Sequence, residues 1–287
     1  MSAFGWLAQP AVLPWLALVL GLFVGSFLNV VIHRLPKMLE REWRAECAAL
    51  AGQPAAEEPP FNLAVPRSRC PACGHAIAAH ENIPLVSWLV LRGKCSACGS
   101  RIPLKYPLVE LLAGVGAGYA AWRFGASLAA LGATLFIWFT IALAFIDQET
   151  GLLPDDLTLP LIWIGLLLNW QHAFVSLPEA LLGAVAGYLS LWAVYWLFKL
   201  ATGKEGMGYG DFKMNAAVGA FLGWKMLPLV ILLSSFIGLL FGALQMLAAR
   251  GRWEAGFRFH FGPYLAIAGI VALFWGGPLL RWYLQRL

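Results

Sequence analysis

The sequence predicts an all-α polytopic membrane protein with about eight transmembrane helices and a polar, cysteine-containing loop domain between the first two. Of its 287 residues, 60% are hydrophobic and 12% are charged, whereas soluble domains carry roughly 25% charged residues. The mean hydropathy is +0.72. The 14 Trp and 30 Gly residues are typical of interfacial aromatic belts and of close helix packing in membranes.

Apolar runs recur along the chain, and a span needs about 20 such residues to cross a bilayer core. The first run contains no charge and is expected to be a retained span rather than a signal peptide. The fourth and sixth runs are short, and we expect them to be tilted or partly interfacial. The runs cover residues 11–32, 106–122, 128–146, 157–170, 178–198, 212–224, 227–248 and 263–280. The predicted organisation is a first helix in 1–33, a loop domain in 34–105 and a seven-helix membrane domain in 106–287.

The distribution of basic residues predicts the orientation of these spans. With eight spans, sixteen Lys and Arg residues fall in the loops on one side and four fall on the other. Loops rich in Lys and Arg stay in the cytoplasm, so the loop 34–105 is predicted to be cytoplasmic and both termini extracytoplasmic. The net charge of +5 therefore reflects topology, and no nucleic-acid partner is predicted.

A glycine-rich loop ending in an acid lies between two apolar runs, at Gly206-Met207-Gly208-Tyr209-Gly210-Asp211. An acid at such a position is costly unless it is used. Asp147 closes the third run and is predicted to lie on the same side of the membrane as Asp211. Two carboxylates held close together share a proton, so that one activates a water and the other donates a hydrogen bond to a carbonyl. Two alternatives stay open from spacing alone: Asp211 is a helix N-cap, or its partner is Asp155 or Asp156.

Four of the five cysteines form two CxxC pairs, Cys70/Cys73 and Cys95/Cys98. Two such pairs complete a tetrahedral shell of four thiolates around one ion. Disulfides are the alternative, but a cytoplasmic loop is reducing. We therefore predict a structural Zn²⁺ ion that keeps the loop folded, with another thiophilic metal or redox pairing as the alternative. Cys47 lies outside the pattern and is expected to be a plain thiol.

In combination, these stretches resemble the bacterial type IV prepilin peptidases, which are bifunctional leader peptidase/N-methyltransferase enzymes. The glycine-rich loop resembles the GxGD motif of membrane aspartyl proteases. His33 departs from the family, where Tyr is more frequent. The matching stretches are residues 25–31 with 34–36, the paired CxxC knuckles, 146–147 with 152–155, 205–213 and 261–266.

The resemblance implies a specific activity and location. Asp147 and Asp211 match the catalytic aspartates of the family. The substrates would be prepilins and pseudopilins of type IV pili and type II secretion, cut after a short basic leader at the cytoplasmic face of the bacterial inner membrane. The new N-terminus would then be methylated, with S-adenosylmethionine as the donor. The sequence does not reveal the donor pocket; Gly93 is a candidate, and Glu81, Glu110 and Lys213 are plausible polar groups near the site or ordinary interfacial anchors.

Three other function classes remain compatible with parts of the sequence. A transporter would carry ions or protons on intramembrane acids, but these acids lie at the ends of spans. A GxGD protease with other substrates shares the acids but does not account for the cysteine loop. A non-enzymatic scaffold of a secretion machine would use that loop to bind partners.

Overall fold

The computed structural model describes residues 9–53, 58–248 and 260–286. The secondary structure of these residues is helical, apart from two isolated β-bridges in the cysteine loop. The α-helices are α1 Leu13–Leu50, α2 Val86–Val90, α3 Lys105–Phe124, α4 Leu128–Thr150, α5 Asp155–Trp170, α6 Leu177–Thr202, α7 Tyr209–Leu222, α8 Leu227–Ala248 and α9 Gly262–Leu284. Short 3₁₀ turns lie at Ala79–Asn82 and Trp224–Met226. The all-α prediction is confirmed for this part of the chain.

Five helices in the described ranges are long and apolar enough to cross a membrane, namely α1, α4, α6, α8 (with the preceding 3₁₀ turn) and α9. The runs predicted at 106–122, 157–170 and 212–224 are also helices, α3, α5 and α7. With 16 and 14 residues, α5 and α7 are shorter than the ~20 residues of a full span. α3 has 20 residues but contains charged residues in its sequence. The structure therefore supports a multi-pass membrane protein without fixing eight crossings.

The chain divides into two compact units, residues 1–130 and 131–287. In the first unit, α1 and α3 pack so closely that the backbones of the two helices are in contact at glycines. A Cβ added to Gly21 would lie 2.6 Å from the Ala113 carbonyl oxygen, and one added to Gly25 would lie 2.6 Å from the Glu110 Cα. Such contacts between small residues are the usual way for membrane helices to associate, because apolar side chains gain little by leaving lipid. Asn29 adds a 3.0 Å hydrogen bond to the Tyr106 carbonyl.

α1 does not end with its apolar part but continues to Leu50, through Pro36. The buried Arg34 guanidinium donates hydrogen bonds to the carbonyls of Asn62 (2.9 Å) and Pro66 (2.6 Å). These bonds fix the returning chain of the cysteine loop along the extended helix. The loop is therefore built onto α1, across the predicted domain boundary at residue 33.

In the second unit, α7 is the central helix, and Asp211, Phe212 and residues 214–222 are all buried. α7 meets α6 through Gly183 and Gly219, where a Cβ on Gly219 would lie 2.0 Å from the Gly183 carbonyl oxygen. On another side, Gly165 of α5 lies against the Phe221 ring. A helix enclosed in this way is positioned by protein contacts, which is why 14 residues suffice.

Asn169 at the end of α5 holds the far end of α7. Its fully buried side chain donates to the carbonyls of Ala220 and Phe221 and accepts from the amides of Phe174 and Val175. All four hydrogen-bonding positions of the amide are used. Asn169 thus joins α5, the following turn and α7 where water is scarce and unpaired backbone groups are costly.

Candidate active site

Asp147 lies in the last turn of α4 and is buried, with 6% of its surface exposed. Its Oδ2 atom accepts a 3.0 Å hydrogen bond from the backbone amide of Gly262, the first residue of α9. A Cβ on Gly262 would lie 2.7 Å from the same oxygen, so the carboxylate occupies the space that a side chain would need. Asp147 is therefore held at the start of α9.

Asp211 lies in the first turn of α7 and is equally buried, at 6% exposure. Its Oδ2 atom accepts a 3.1 Å hydrogen bond from the Gly208 amide, and its own amide donates to the Gly208 carbonyl at 3.3 Å. The N-cap residue is Gly208, so the alternative that Asp211 is the N-cap is wrong. Asp211 is the third residue of the helix, and its side chain reaches back to the cap, as in a capping box.

Asp147 and Asp211 interact electrostatically within the second unit. Asp211 Oδ1 has no hydrogen-bond partner among the described residues, and neither do the buried Thr158 Oγ1 and Asn215 Oδ1. Buried polar atoms of this kind are usually satisfied by water. A pair of buried carboxylates with one oxygen left for water or substrate suits acid–base hydrolysis.

The glycine loop before α7 is fixed at both ends. Glu205 Oε1 accepts from the Tyr195 hydroxyl at 3.1 Å and from Lys199 Nζ at 2.9 Å. The hydrogen bond from Lys199, with that from Tyr195, holds the pKa of the Glu205 carboxyl below its usual range. At the other end, a Cβ on Gly210 would lie 2.5 Å from the Leu153 Cβ. The loop is therefore a packed element rather than a free hinge.

The acids at the start of α5 have other roles. Asp155 binds Lys213 of α7 through both carboxylate oxygens, at 2.6 and 2.7 Å. Asp156 is exposed. The alternative that either of them pairs with Asp211 therefore loses its support, because the acid that acts on Asp211 is Asp147. Lys213, which was considered as a polar group near the site, forms an ion pair with Asp155.

In the first unit, the Sγ atoms of Cys70, Cys73, Cys95 and Cys98 all lie within 4.8 Å of one another. The Cys70 and Cys98 sulfurs are 3.9 Å apart, and a tetrahedral zinc site with bonds of ~2.3 Å places its sulfurs ~3.8 Å apart. The glycines that follow the two knuckles have φ of +72° and +71°, a conformation that favours glycine. The donor set and its spacing fit Zn²⁺, and Cys47 lies apart as a free, exposed thiol.

Glu81 links the two knuckles. One carboxylate oxygen accepts from His75, which follows the first knuckle, and from the Ala78 amide; the other accepts from Ser96, inside the second knuckle. Hydrogen bonds from Ser96, Ala78 and His75 lower the pKa of Glu81 to about 2. Its carboxylate is thus ionised at any physiological pH, and its hydrogen bonds connect the two metal-binding turns.

Gly93 is the candidate residue for the methyl donor, and Glu110 is a candidate polar group near the site; both make defined contacts in the first unit. Gly93 has φ of +65°, and a Cβ there would lie 2.9 Å from the Trp88 indole. The indole therefore lies directly beside Gly93. Glu110 accepts a 2.8 Å hydrogen bond from the Leu85 amide.

Comparison with known proteins places this chain in a family. It matches the Bacterial Peptidase A24 N-terminal domain over residues 19–124 and the Type IV leader peptidase family over residues 134–243. It is 56% identical over 272 residues to a prepilin leader peptidase/N-methyltransferase of Stutzerimonas stutzeri, covering 94% of this chain and 93% of the relative. The chain belongs to the type IV leader peptidase family. Relatives with the same name from Pseudomonas aeruginosa and Aeromonas hydrophila are 55% and 54% identical, over 93% and 96% of this chain and 92% and 96% of their own lengths.

The resemblance to prepilin peptidases in the sequence motifs is thereby confirmed, while no solved structure matches the chain. Residues 261–266 contribute to the family resemblance, but the sequence alone did not predict the role of Gly262 or the anchor at Glu205. A glycine directly before a proline at the start of an apolar run was the available signal for Gly262.

Proposed function

We propose that this member of the type IV leader peptidase family is a membrane aspartyl endopeptidase with Asp147 and Asp211 as its catalytic residues. It removes the short basic leader from type IV prepilins and pseudopilins and methylates the new N-terminal residue. The observation that carries the proposal is the pair of buried acids, each held through Oδ2 by a backbone amide, with Asp211 Oδ1 buried and without a hydrogen-bond partner among the described residues. The names of the relatives, at 54–56% identity, supply the substrate class.

The geometry suits hydrolysis by a shared-proton mechanism. Two neighbouring buried carboxylates carry one proton between them. The ionised acid takes a proton from a water whose oxygen attacks the peptide carbonyl carbon, while the protonated acid gives its hydrogen to the carbonyl oxygen. When the tetrahedral intermediate collapses, the C–N bond breaks and the first acid gives its proton to the leaving amine. A hydroxyl of the intermediate returns a proton to the second acid as the new carbonyl forms, so that the pair again holds one proton. Fixing each Oδ2 by an amide orients the other oxygens toward the reacting atoms.

Helix contacts support a topology of eight crossings with the active site on the cytoplasmic side of the inner membrane. The Gly262 amide joins the end of α4 to the start of α9, and Leu153 against Gly210 joins the start of α5 to that of α7. Alternating crossings bring these four ends to one side. The positive-inside count supports a cytoplasmic location, although its contributors Arg250, Arg252 and Arg258 lie outside the described residues. A prepilin helix can then stay in lipid while its leader remains in water.

The four thiolates of the first unit would hold Zn²⁺, which supplies structural cross-linking when bound. The shell is closed by four protein ligands, so the chain's own residues do the hydrolytic work. S-adenosylmethionine is the donor that an N-methyltransferase implies. The Trp88 ring lies directly beside Gly93, the candidate residue for the donor.

Cleavage of a purified prepilin by detergent-solubilised protein tests the proposal. Asp147→Asn and Asp211→Asn are each expected to abolish cleavage, because an amide can neither accept nor supply the proton. Asp156→Asn is the matched control, since it makes the same change at an exposed acid of the same unit and should leave the rate unchanged. Intact prepilin with the wild-type protein, or normal cleavage by either catalytic variant, contradicts the assignment. Transfer of label from S-adenosylmethionine to the cleaved product tests methylation separately.

A further inference from the structure

The loop domain carries an apolar edge that is exposed among the described residues of the first unit. It comprises Ile83 and three residues of α2, Val86, Leu89 and Val90, which are 42%, 53%, 66% and 74% exposed. We call these four residues the α2 edge. Exposed apolar side chains that cluster in this way mark a surface that contacts a partner or a membrane.

Hydrogen bonds place the α2 edge level with membrane-embedded parts of α1 and α3. The Leu85 amide donates to Glu110 Oε2 at 2.8 Å, and Glu110 packs on Gly25 of α1. The Ser26 hydroxyl faces Asn82 at 3.5 Å. Ser26 lies six residues before Ile32, the end of the apolar run of α1, or roughly 9 Å inside it at 1.5 Å per residue. The segment leading into α2 therefore lies beside the span, not beyond it.

The surfaces on both sides of these anchor points are apolar and exposed. Phe23 and Phe27 of α1, which flank Ser26, are 56% and 51% exposed. Leu108 and Leu111 of α3, which flank Glu110, are 45% and 44% exposed. Since α1 is a candidate membrane span, the α2 edge continues an apolar surface that begins in the bilayer.

Basic residues close to the α2 edge are of the kind found at the headgroup region of a bilayer. Arg92 and Lys94 follow α2 directly, and both are exposed. The Trp88 indole, within α2, donates to the Ile102 carbonyl at 3.3 Å, which ties α2 to the residues just before α3. Apolar side chains beside Trp and basic residues are typical of segments that lie in the headgroup region, where cations meet lipid phosphates.

We propose that the α2 edge is inserted into the headgroup–acyl boundary of the bilayer, so that the cysteine-bearing loop is attached to the membrane surface by lipid contact. The partner is the lipid itself. The apolar helix of a prepilin is the competing occupant, but a five-residue helix is about 7.5 Å long at 1.5 Å per residue. That length suits the boundary layer better than a groove for a membrane-spanning helix.

Photo-cross-linking in the full-length protein tests this inference. Benzoylphenylalanine is placed at Val90 or Leu89, and the protein is reconstituted in nanodiscs of phosphatidylethanolamine and phosphatidylglycerol, illuminated and weighed intact. Leu20, 63% exposed within the α1 span, is the positive control. Ala49, exposed on α1 roughly 25 Å beyond Ile32 at 1.5 Å per residue, is the negative control.

We expect lipid adducts at Val90 and Leu89 in yields comparable with Leu20, and none at Ala49. Absence of adducts at both test positions while Leu20 reacts overturns the inference. Cross-linking of Val90 to an added prepilin in place of lipid overturns it as well. Because the readout is a lipid mass on the protein, it does not depend on peptidase activity, and each variant is checked for normal elution as a folded protein.

Discussion

The backbone amide that holds Asp147 belongs to a glycine, and replacing that glycine is a direct test of how the acid is positioned. In Gly262→Ala, the new Cβ would lie 2.7 Å from Asp147 Oδ2, 3.1 Å from its Cγ and 3.3 Å from its Cβ. These neighbours belong to a short side chain on a buried helix end, so the carboxylate must move. The 3.0 Å hydrogen bond from the Gly262 amide is then lengthened or lost.

The size of the effect follows from that hydrogen bond. A hydrogen bond to a charged group contributes about 1.5–3 kcal/mol, and about 1.4 kcal/mol of transition-state stabilisation corresponds to tenfold in rate. We therefore expect Gly262→Ala to lower kcat for prepilin cleavage about 10- to 100-fold. KM should change little, because the change reorients a reacting group without touching the surface that binds the substrate.

Cleavage is followed with a purified prepilin over a range of substrate concentrations, so that kcat and KM are obtained separately. Gly277→Ala is the matched control, since it makes the same change in the same helix, at a site with no described atom within 4 Å of the added Cβ. Both substitutions replace glycine by alanine within α9. A difference in kcat between them therefore reports on Asp147.

A kcat for Gly262→Ala close to that of Gly277→Ala, in a variant with unchanged thermal stability, would refute the positioning argument. The Asp147→Asn result separates this outcome from failure of the proposed function. If Asp147→Asn is inactive and Gly262→Ala is normal, Asp147 remains catalytic and the glycine contact loses its assigned role.

Three further predictions concern other anchors. Asn169→Ala leaves two amides and two carbonyls unpaired at a buried site. At about 1–3 kcal/mol for each unpaired group, it should lower the free energy of unfolding by several kcal/mol. Thermal unfolding in detergent measures this loss, with Gln171→Ala at an exposed position as the control. The Asp155–Lys213 pair is partly exposed, so a double-mutant cycle should give a coupling of only about 0.2–1 kcal/mol in unfolding experiments, and it should shrink in high salt. Glu81→Gln should weaken zinc binding about 10- to 100-fold, as measured by competition with a chromogenic chelator; unchanged affinity would remove Glu81 as the link between the knuckles.

The positions of the long helices were predictable from sequence, because uninterrupted apolar runs are a strong signal in a membrane protein. The run predicted at 227–248 coincides with α8, and the one at 178–198 lies within α6. Whether a helix crosses the whole membrane is harder to predict than whether the segment is helical. α5 and α7 are helices that protein contacts surround, so their hydropathy and length do not report directly on how far they extend through lipid.

The two acids were predictable because carboxylates at the ends of apolar runs are rare and costly. Their anchors were not, because each depends on contacts between distant parts of the chain. The Gly262 amide reaches Asp147 across 115 residues, and no local pattern encodes that distance. The alternative that Asp211 is the N-cap of α7 was wrong for a related reason: Asp211 has a side chain that N-caps favour, but the residue with the extended cap conformation is Gly208.

Both acids are held in the same way, and the shared arrangement explains what each glycine does. The amides at the start of a helix have no partner within the helix, they cannot be left unpaired in a membrane, and they lie at its positive end. Gly208 and Gly262 each supply such an amide to an Oδ2 atom. A Cβ on Gly208 would lie 3.9 Å from Asp211 Oδ2, an ordinary contact, whereas one on Gly262 or Gly210 would lie at 2.7 or 2.5 Å from its nearest neighbour. Packing therefore requires glycine at positions 210 and 262, where a side chain would clash. Gly208 acts through its backbone amide, which any residue except proline can provide.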